Sequence, residues 1–579
     1  MVLPSQLDIL VIGAGFGGLC ALKHLRGEGY TIKVIDTASD VGGTWYWNRY
    51  PGAMSDSRSI IYRFSWDKDD LQNYPWSDHY VKQKEILKYF QHVATKHDLY
   101  KDIQFQTELT SAVYDGESGR WNVSLSTGET IDARYVVTAL GVLSAPNYPK
   151  IPGLETFKGR TVHTSRWPAD LDLSQMRVGV IGNGSTGVQV ITALAGQTKS
   201  LTSFQRHPQY SVPSGDGPVS SGYRQWANDN YTTIFTRAKQ SYVGMELCES
   251  NRPYDSVPPE EAESIFEHLW QRGNGFHFYF GGFKDIGFNK VANEHACNFI
   301  RSKIDSIVQD PEKARKLKPN ELHARRPICD NGYYYAFNKP GVDIVHIGET
   351  PIVTIRENGI ETTAGFHELD VIVFATGFDA VDGNYNRIRI RGRGGKSLKE
   401  YWDARERGPS AYLGASVPEF PNMLMIGGPL GPFANFPPVV ETYTELISGL
   451  LAEAERARRV PGARPGSEGT IIEATKQAED EWTTAAENVI ESSLFKEANS
   501  WLFGSNVEGK KRAIRFHFGG MGQFYNTVHR VIEEGFPGFQ PFLQNKSTTE
   551  RGADVKATKT HVEDAEANGI SNTKVDIVA

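Results

Sequence analysis

Cysteine is scarce in this chain of 579 residues. The four cysteines, Cys20, Cys248, Cys297 and Cys329, are scattered and include no C-x-x-C pair. That spacing excludes a disulfide scaffold, a redox-active dithiol and a cysteine-held zinc site, and it points to a reducing compartment and no metal centre. An excess of positive charge is also missing. Lys and Arg number 62 against 69 Asp and Glu, a formal net charge of -7, so there is no basic field to attract nucleic acid. Long hydrophobic runs are absent as well. The one apolar stretch near the start, residues 7–22, is broken by glycines and has no basic leader, so it reads as a strand and a turn rather than as a signal peptide or membrane span. The expectation is a cytosolic protein with no nucleic-acid or membrane partner.

What the chain has in quantity is glycine, 57 residues in all, and two glycine groups stand out: Gly13-Ala14-Gly15-Phe16-Gly17-Gly18 and Gly182-Asn183-Gly184-Ser185-Thr186-Gly187. Each follows an apolar strand-like run and opens a helix-like one. In that context the glycines provide a tight turn, close approach of the backbone to a pyrophosphate, and close packing of helix on strand. One such group is weak evidence, but two in matching contexts imply two nucleotide cofactors and therefore electron transfer between them. Residues 8–12, 18–26 and 32–36 form the first strand-helix-strand pattern. Asp36, ending its second strand, suits a carboxylate that accepts the hydroxyl protons of a ribose, although a turn aspartate is the plainer alternative. Residues 178–181, the helix to about 194 and residues 200–204 form the second pattern, which ends in Gln205-Arg206-His207. An arginine there forks onto a 2'-phosphate, so the second site is expected to take NADPH rather than NADH.

Residues 135–140 read as a strand returning from the first unit, and the proline-rich stretch 146–152 as a stiff linker. From about 221 to 322 the periodicity turns helical, notably at 260–270 and 291–309. Strand-like runs resume at 342–347 and 371–375, before Thr376-Gly377. The fold expected is α/β: two Rossmann-like dinucleotide-binding domains with an inserted helical subdomain. The first domain is divided between 1–145 and 381–544, the second between 146–220 and 325–380, and the helical insertion spans 221–324. The polar, aperiodic residues 545–579 are expected to be a disordered tail.

Between the two glycine groups lies Phe157-Lys158-Gly159-Arg160-Thr161-Val162-His163-Thr164-Ser165-Arg166-Trp167-Pro168, an F-x-G-x-x-x-H-x-x-x-W-P pattern. Gly42-Gly43-Thr44-Trp45 through Tyr50-Pro51-Gly52 to Asp56 forms a second, G-G-x-W-x-x-x-x-Y-P-G-x-x-x-D. Through these two signatures the chain resembles the Baeyer-Villiger monooxygenases, and within them the cyclohexanone monooxygenases, nearly continuously from about residue 7 to 539. The resemblance implies FAD on the first fingerprint and NADPH on the second. It further implies O2-dependent conversion of aliphatic linear or cyclic ketones to esters or lactones through a flavin C4a-peroxide. The assembly expected is a monomer or weak homo-oligomer.

Residue by residue, the resemblance puts Asp56 beside the flavin as partner of Arg326, whose fixed positive charge would stabilise developing oxyanions. Without it, Arg325-Arg326 would read as an ordinary surface pair. Gly13, Gly15, Phe16, Gly18, Asp36, Thr44, Trp45, Trp47 and Tyr62 are expected around FAD. Gly182, Asn183, Gly184, Ser185, Thr186, Gly187, Gln189, Arg206, His207 and Arg325 are expected around NADPH, Arg325 standing where the family commonly has lysine. Trp501 matches the tryptophan that closes over the nicotinamide ribose. His163 is read as structural. An apolar ketone pocket is expected from Leu143, Phe278, Phe280, Phe433, Phe436 and Phe516. Leu430 and Phe436 depart from the common pattern, which leaves the ketone open. A flavin enzyme oxygenating nitrogen or sulfur, or a catalytically silent scaffold, are the alternatives.

Overall fold

The computed structural model describes residues 3–247 and 249–544. The tail expected from residue 545 lies outside them.

Strand β1 (Gln6–Ile12) is an almost unbroken apolar run. Leu7, Ile9, Leu10, Val11 and Ile12 are all buried, as expected of a parallel strand covered on both faces. β2 (Ile32–Ile35) pairs parallel beside it and β3 (Ile103–Gln104) lies outside β2. The chain then folds into an antiparallel meander of β4 (Leu109–Asp115), β5 (Arg120–Leu125) and β6 (Thr130–Thr138). β6 begins earlier than the run 135–140 suggests, because its first half pairs with β5 and its second half carries the chain back parallel to β1.

A second sheet is all parallel, in the order β12 (Val342–His346), β9 (Ser200–Gln205), β8 (Arg177–Ile181), β16 (Val371–Phe374), β7 (Arg160–His163). The helical segment falls between two short strands, β10 (Ser211–Pro213) and β11 (Ile328–Asp330), which pair in parallel and close its neck. Its helices include Ser221–Gln240, Pro259–Arg272, Gly275–Gly281 and Lys290–Ile307. A small meander, β13 (Ile352–Arg356), β14 (Gly359–Thr362) and β15 (Gly365–Glu368), precedes β16.

The chain then returns to the first sheet. β17 (Arg389–Arg391) pairs with β4, and β18 (Met423–Met425) pairs with the second half of β6. The long helix Phe436–Arg458 packs along the first fingerprint helix, Phe16–Gly27, with Thr444 Oγ1 bonded to Cys20 Sγ at 3.4 Å. The architecture is thus α/β, with two Rossmann-type units of which the first is built from both ends of the chain. Among the described residues no helix is long and apolar enough to cross a membrane.

Candidate active site

The two glycine turns have nearly the same geometry. Gly13 has φ of +109° and Gly182 of +106°, values that L side chains rarely adopt. A Cβ at Gly13 would stand 2.4 Å from the carbonyl oxygen of Ala139, and one at Gly182 would stand 2.4 Å from that of Ala375. Gly18 and Gly187 do not face the space above these turns, as the expectation of nucleotide contact had it. They fill the joint between helix and strand, where a Cβ would lie 1.7 Å from Gly13 O and 2.2 Å from Gly182 O respectively. Their role is the close approach of helix to strand.

Above the carboxyl ends of β1, β6, β8 and β16, between the two sheets, runs a cavity of about 1260 Å³. That exceeds the usual several-hundred-Å³ pocket for one small ligand. Every other residue expected around the nucleotides lines it: Gly13, Gly15, Phe16, Asp36, Thr44, Trp45, Trp47, Asp56 and Tyr62 on the first side, Gly182, Asn183, Gly184, Ser185, Thr186, Gln189, Arg206, His207, Arg325 and Arg326 on the second, and Trp501.

On the first side, the Asp36 carboxylate accepts the backbone N–H groups of Ala14 at 2.6 Å and Ala38 at 2.7 Å, which leaves each oxygen a further lone pair. Burial raises its pKa, with the two bonds acting against it. Trp45 Nε1 donates to the Tyr62 hydroxyl at 3.1 Å, and the Arg166 guanidinium lies 3.9 Å over the Trp47 ring. On the second side, Asn183 Nδ2 donates to Gln205 Oε1 and to His207 O, which holds the turn against the end of β9. Glu321 pairs with Arg325 at 2.5 Å and with His207 at 3.1 Å. Arg206 is exposed, and among the described residues no carboxylate pairs with it.

Between the two sides Arg326 Nη2 donates to Asp56 Oδ2, and its guanidinium lies 5.1 Å from the centre of the Phe276 ring. Burial disfavours the arginine charge, but the Asp56 carboxylate and the hydrogen bond to it outweigh that, so the pKa lies above its ordinary value. The guanidinium is a fixed cation at any working pH.

The apolar end of the cavity is lined by Leu143, Phe433, Phe436 and Phe516, with Trp501 edge-on to Phe516 at 5.6 Å. Phe278 and Phe280 do not line it. Phe278 is fully buried between Phe266 and Phe299, and Phe280 packs on Tyr242 and Tyr279. Phe276, at the start of the same short helix, faces the cavity in their place. Val243 and Met245 also line it. They belong to a stretch without regular structure, and no periodicity in the sequence marks them. His163, at the end of β7, accepts from Ser165 N–H on Nδ1 and therefore donates from Nε2 to Gly377 O at 3.2 Å. Burial pushes its pKa down to about 4, so it is a neutral link between the end of β7 and the turn that follows β16.

The donor set and space suit two dinucleotides, and comparison with known proteins agrees. Residues 6–207 match the model of the flavin-binding monooxygenase-like family. A Baeyer-Villiger monooxygenase of Pseudooceanicola batsensis is 46% identical over 92% of this chain and 96% of its own. The chain belongs to the Baeyer-Villiger monooxygenases. A phenazine N-monooxygenase of Lysobacter antibioticus is 44% identical over 92% of this chain and 97% of its own. The crystal structure of cyclohexanone monooxygenase from Rhodococcus sp. Phi1 bound to NADP+ superposes with a TM-score of 0.89 at 47% identity, covering 94% of this chain and 100% of that one. Membership in this family of flavin enzymes accounts for the two fingerprints and both signature patterns in one chain.

Proposed function

We propose that this chain is an FAD-containing, NADPH-dependent monooxygenase that inserts one atom of O2 into an aliphatic ketone, linear or cyclic. Ketone, O2, NADPH and a proton give ester or lactone, NADP+ and water. When bound, the flavin supplies the electron storage and oxygen activation that no side chain offers. The residues that would hold it are Gly13, Gly15 and Asp36 along the pyrophosphate and ribose, with Trp45, Trp47 and Tyr62 as the wall. Those that would hold NADPH are Gly182 to Thr186, Gln189 and the Arg206, His207 and Arg325 group.

The observation that carries this reading is the half-buried Arg326–Asp56 pair between the two glycine turns and beside an apolar wall. Negative charge develops on the ketone oxygen as the nucleophile adds, and Arg326 can stabilise it without gaining or losing a proton. A preorganised donor in a water-poor site is worth far more than the same group in water. Asp56 orients the guanidinium. Leu143, Phe433, Phe436 and Phe516 exclude water and hold the hydrocarbon part of the ketone.

A panel of linear and cyclic ketones with product identification tests the reading, with ester or lactone formed at the expense of NADPH as the expected result. The 44% identity to a phenazine N-monooxygenase favours oxygenation of an aromatic nitrogen as the second reading. N-oxide formed from a phenazine, with no ester from any ketone, would decide for that one.

A further inference from the structure

We infer that Asn274 is a positioning residue that fixes both members of the Arg326–Asp56 pair, an inference that rests on the function proposed above. Asn274 is 1% exposed and has φ of +75° and ψ of +115°, a backbone conformation that glycine adopts far more cheaply. A side chain retained there at the expense of strain has work to do, and its contacts define that work.

All four hydrogen-bonding capacities of the amide are used. Nδ2 donates to the backbone oxygen of Asp56 at 3.1 Å and to the Tyr80 hydroxyl at 2.9 Å. Oδ1 accepts the backbone N–H groups of Phe276 at 2.9 Å and His277 at 3.2 Å. The amide orientation is fixed, because the Asp56 carbonyl can only accept and the two backbone N–H groups can only donate. One end of the side chain therefore holds the backbone that carries the Asp56 carboxylate. The other end holds the start of helix Gly275–Gly281, whose Phe276 ring lies against the Arg326 guanidinium.

Arg326 cannot move independently of this joint. Gly275 N–H donates to Cys329 Sγ at 3.2 Å, and a Cβ at Gly275 would lie 2.5 Å from the carbonyl oxygen of Ile328. The helix start is thus pressed onto the strand that follows Arg326. On the far side of Asp56, Ser57 Oγ donates to Asn435 Oδ1 at 2.9 Å. Loss of the Asn274 amide releases the carboxylate segment on one side only and frees Phe276, so the guanidinium is misaimed rather than removed.

The test compares Asn274→Gly, Asn274→Asp and Arg326→Ala as holoenzymes, measuring FAD content, Tm, the KM for NADPH and ester formed per NADPH consumed. Asn274→Gly relieves the backbone strain and so protects folding. Asn274→Asp keeps the acceptor for the helix start but loses the donor to Asp56, and it supplies the result if the glycine variant does not fold. Both variants are expected to keep FAD and a KM for NADPH within about twofold, while ester per NADPH falls roughly tenfold and hydrogen peroxide rises, because a small misplacement of a catalytic group is costly. A purely structural residue would change Tm and yield but not that ratio. Parent-like coupling in both variants, with Arg326→Ala uncoupled, overturns the role of Asn274 alone. Parent-like coupling in Arg326→Ala overturns the underlying reading of the site.

Discussion

The Tyr50 hydroxyl donates to Gln189 Oε1 at 2.8 Å, and with that bond a residue of the G-G-x-W-x-x-x-x-Y-P-G pattern touches the helix Ser185–Leu194 of the second nucleotide unit. Gln189 is in turn fixed by its amide nitrogen Nε2, which donates to Met54 O at 3.2 Å. The cavity depends on this seam, since its two glycine turns belong to different sheets. Burial pushes the Tyr50 pKa up to about 12, with the hydrogen bond to Thr186 acting against it, so the phenol remains a donor throughout the working range.

Tyr50→Phe should therefore cost about 1–3 kcal/mol of stability, the penalty of leaving the buried Gln189 oxygen without a donor. Because the bond joins the two units, flavin reduction by NADPH should slow as well. Thermal unfolding and anaerobic reduction kinetics check both. A variant with unchanged Tm and unchanged reduction rate would show that the seam does not depend on this bond.

Much of this site was legible in the sequence for a physical reason. Gly13 and Gly182 need a positive φ and touch a carbonyl of the neighbouring strand, so only glycine fits, and the pattern is visible as letters. The aromatic run from Phe276 to Phe280 was visible too, but its phase was not. Which ring faces the cavity depends on how the short helix is rolled, and that is set by Asn274 and by packing against Phe266 and Phe299. Val243 and Met245 left no trace, because they reach the cavity from an irregular stretch. The β4–β6 meander lies inside the first sheet, between β17 and β1, and only β5 alternates along its whole length between buried and more exposed residues, so little in the letters sets its three strands apart from the loops between them.

The two groups of aromatics should separate in mutagenesis. Phe278→Ala removes a fully buried ring and should lower stability by about 3–5 kcal/mol, with the relative rates on a set of ketones unchanged in the folded enzyme. Phe433→Ala opens the cavity wall and should shift those relative rates, with a smaller change in Tm. Changed ketone preference in Phe278→Ala would return that residue to the pocket.

The second cradle makes a prediction about cofactor choice. Arg206 carries no carboxylate partner among the described residues, whereas Arg325 is shared with Glu321. Arg206→Ala should raise the KM for NADPH about tenfold and hardly change that for NADH, since a hydrogen bond to a charged group is worth roughly 1.5–3 kcal/mol. Steady-state kinetics with both cofactors decide the point. An equal rise for both would mean that Arg206 does not read the 2'-phosphate.

Acid should destabilise the protein through its buried neutral histidines. Burial lowers the pKa of His163 from 6.5 to about 4, the bond to Gly377 opposing it, and burial likewise lowers His517 to about 4. Between those values the unfolded chain binds protons that the folded one does not, so stability rises with pH across that window. It is fully present above the unfolded value of 6.5, falls as pH drops toward 4, and falls no further from these groups below it. His163→Gln keeps an acceptor and a donor and should flatten the dependence of Tm on pH in this window. An unchanged slope would show that His163 does not titrate on unfolding.

Arg326→Ala is the sharpest test of the proposed chemistry. The guanidinium is a half-buried fixed cation aimed by the Asp56 carboxylate, and its removal leaves the charge developing on the ketone oxygen without that partner. Ester formation should fall on the order of a hundredfold or more. FAD should stay bound, because the residues expected along its pyrophosphate and ribose are untouched. NADPH consumption should continue at a reduced rate, with the oxygen leaving as hydrogen peroxide instead of entering product. Chromatography of the ester and a peroxide assay on the same reaction give the partition directly. Arg326→Lys tells charge from shape, because a lysine restores the cation but not the planar fork that Asp56 holds, and it should recover only part of the coupling. Ester formed by Arg326→Ala at near the parent rate would mean that the reaction draws its electrostatic stabilisation from elsewhere in the cavity.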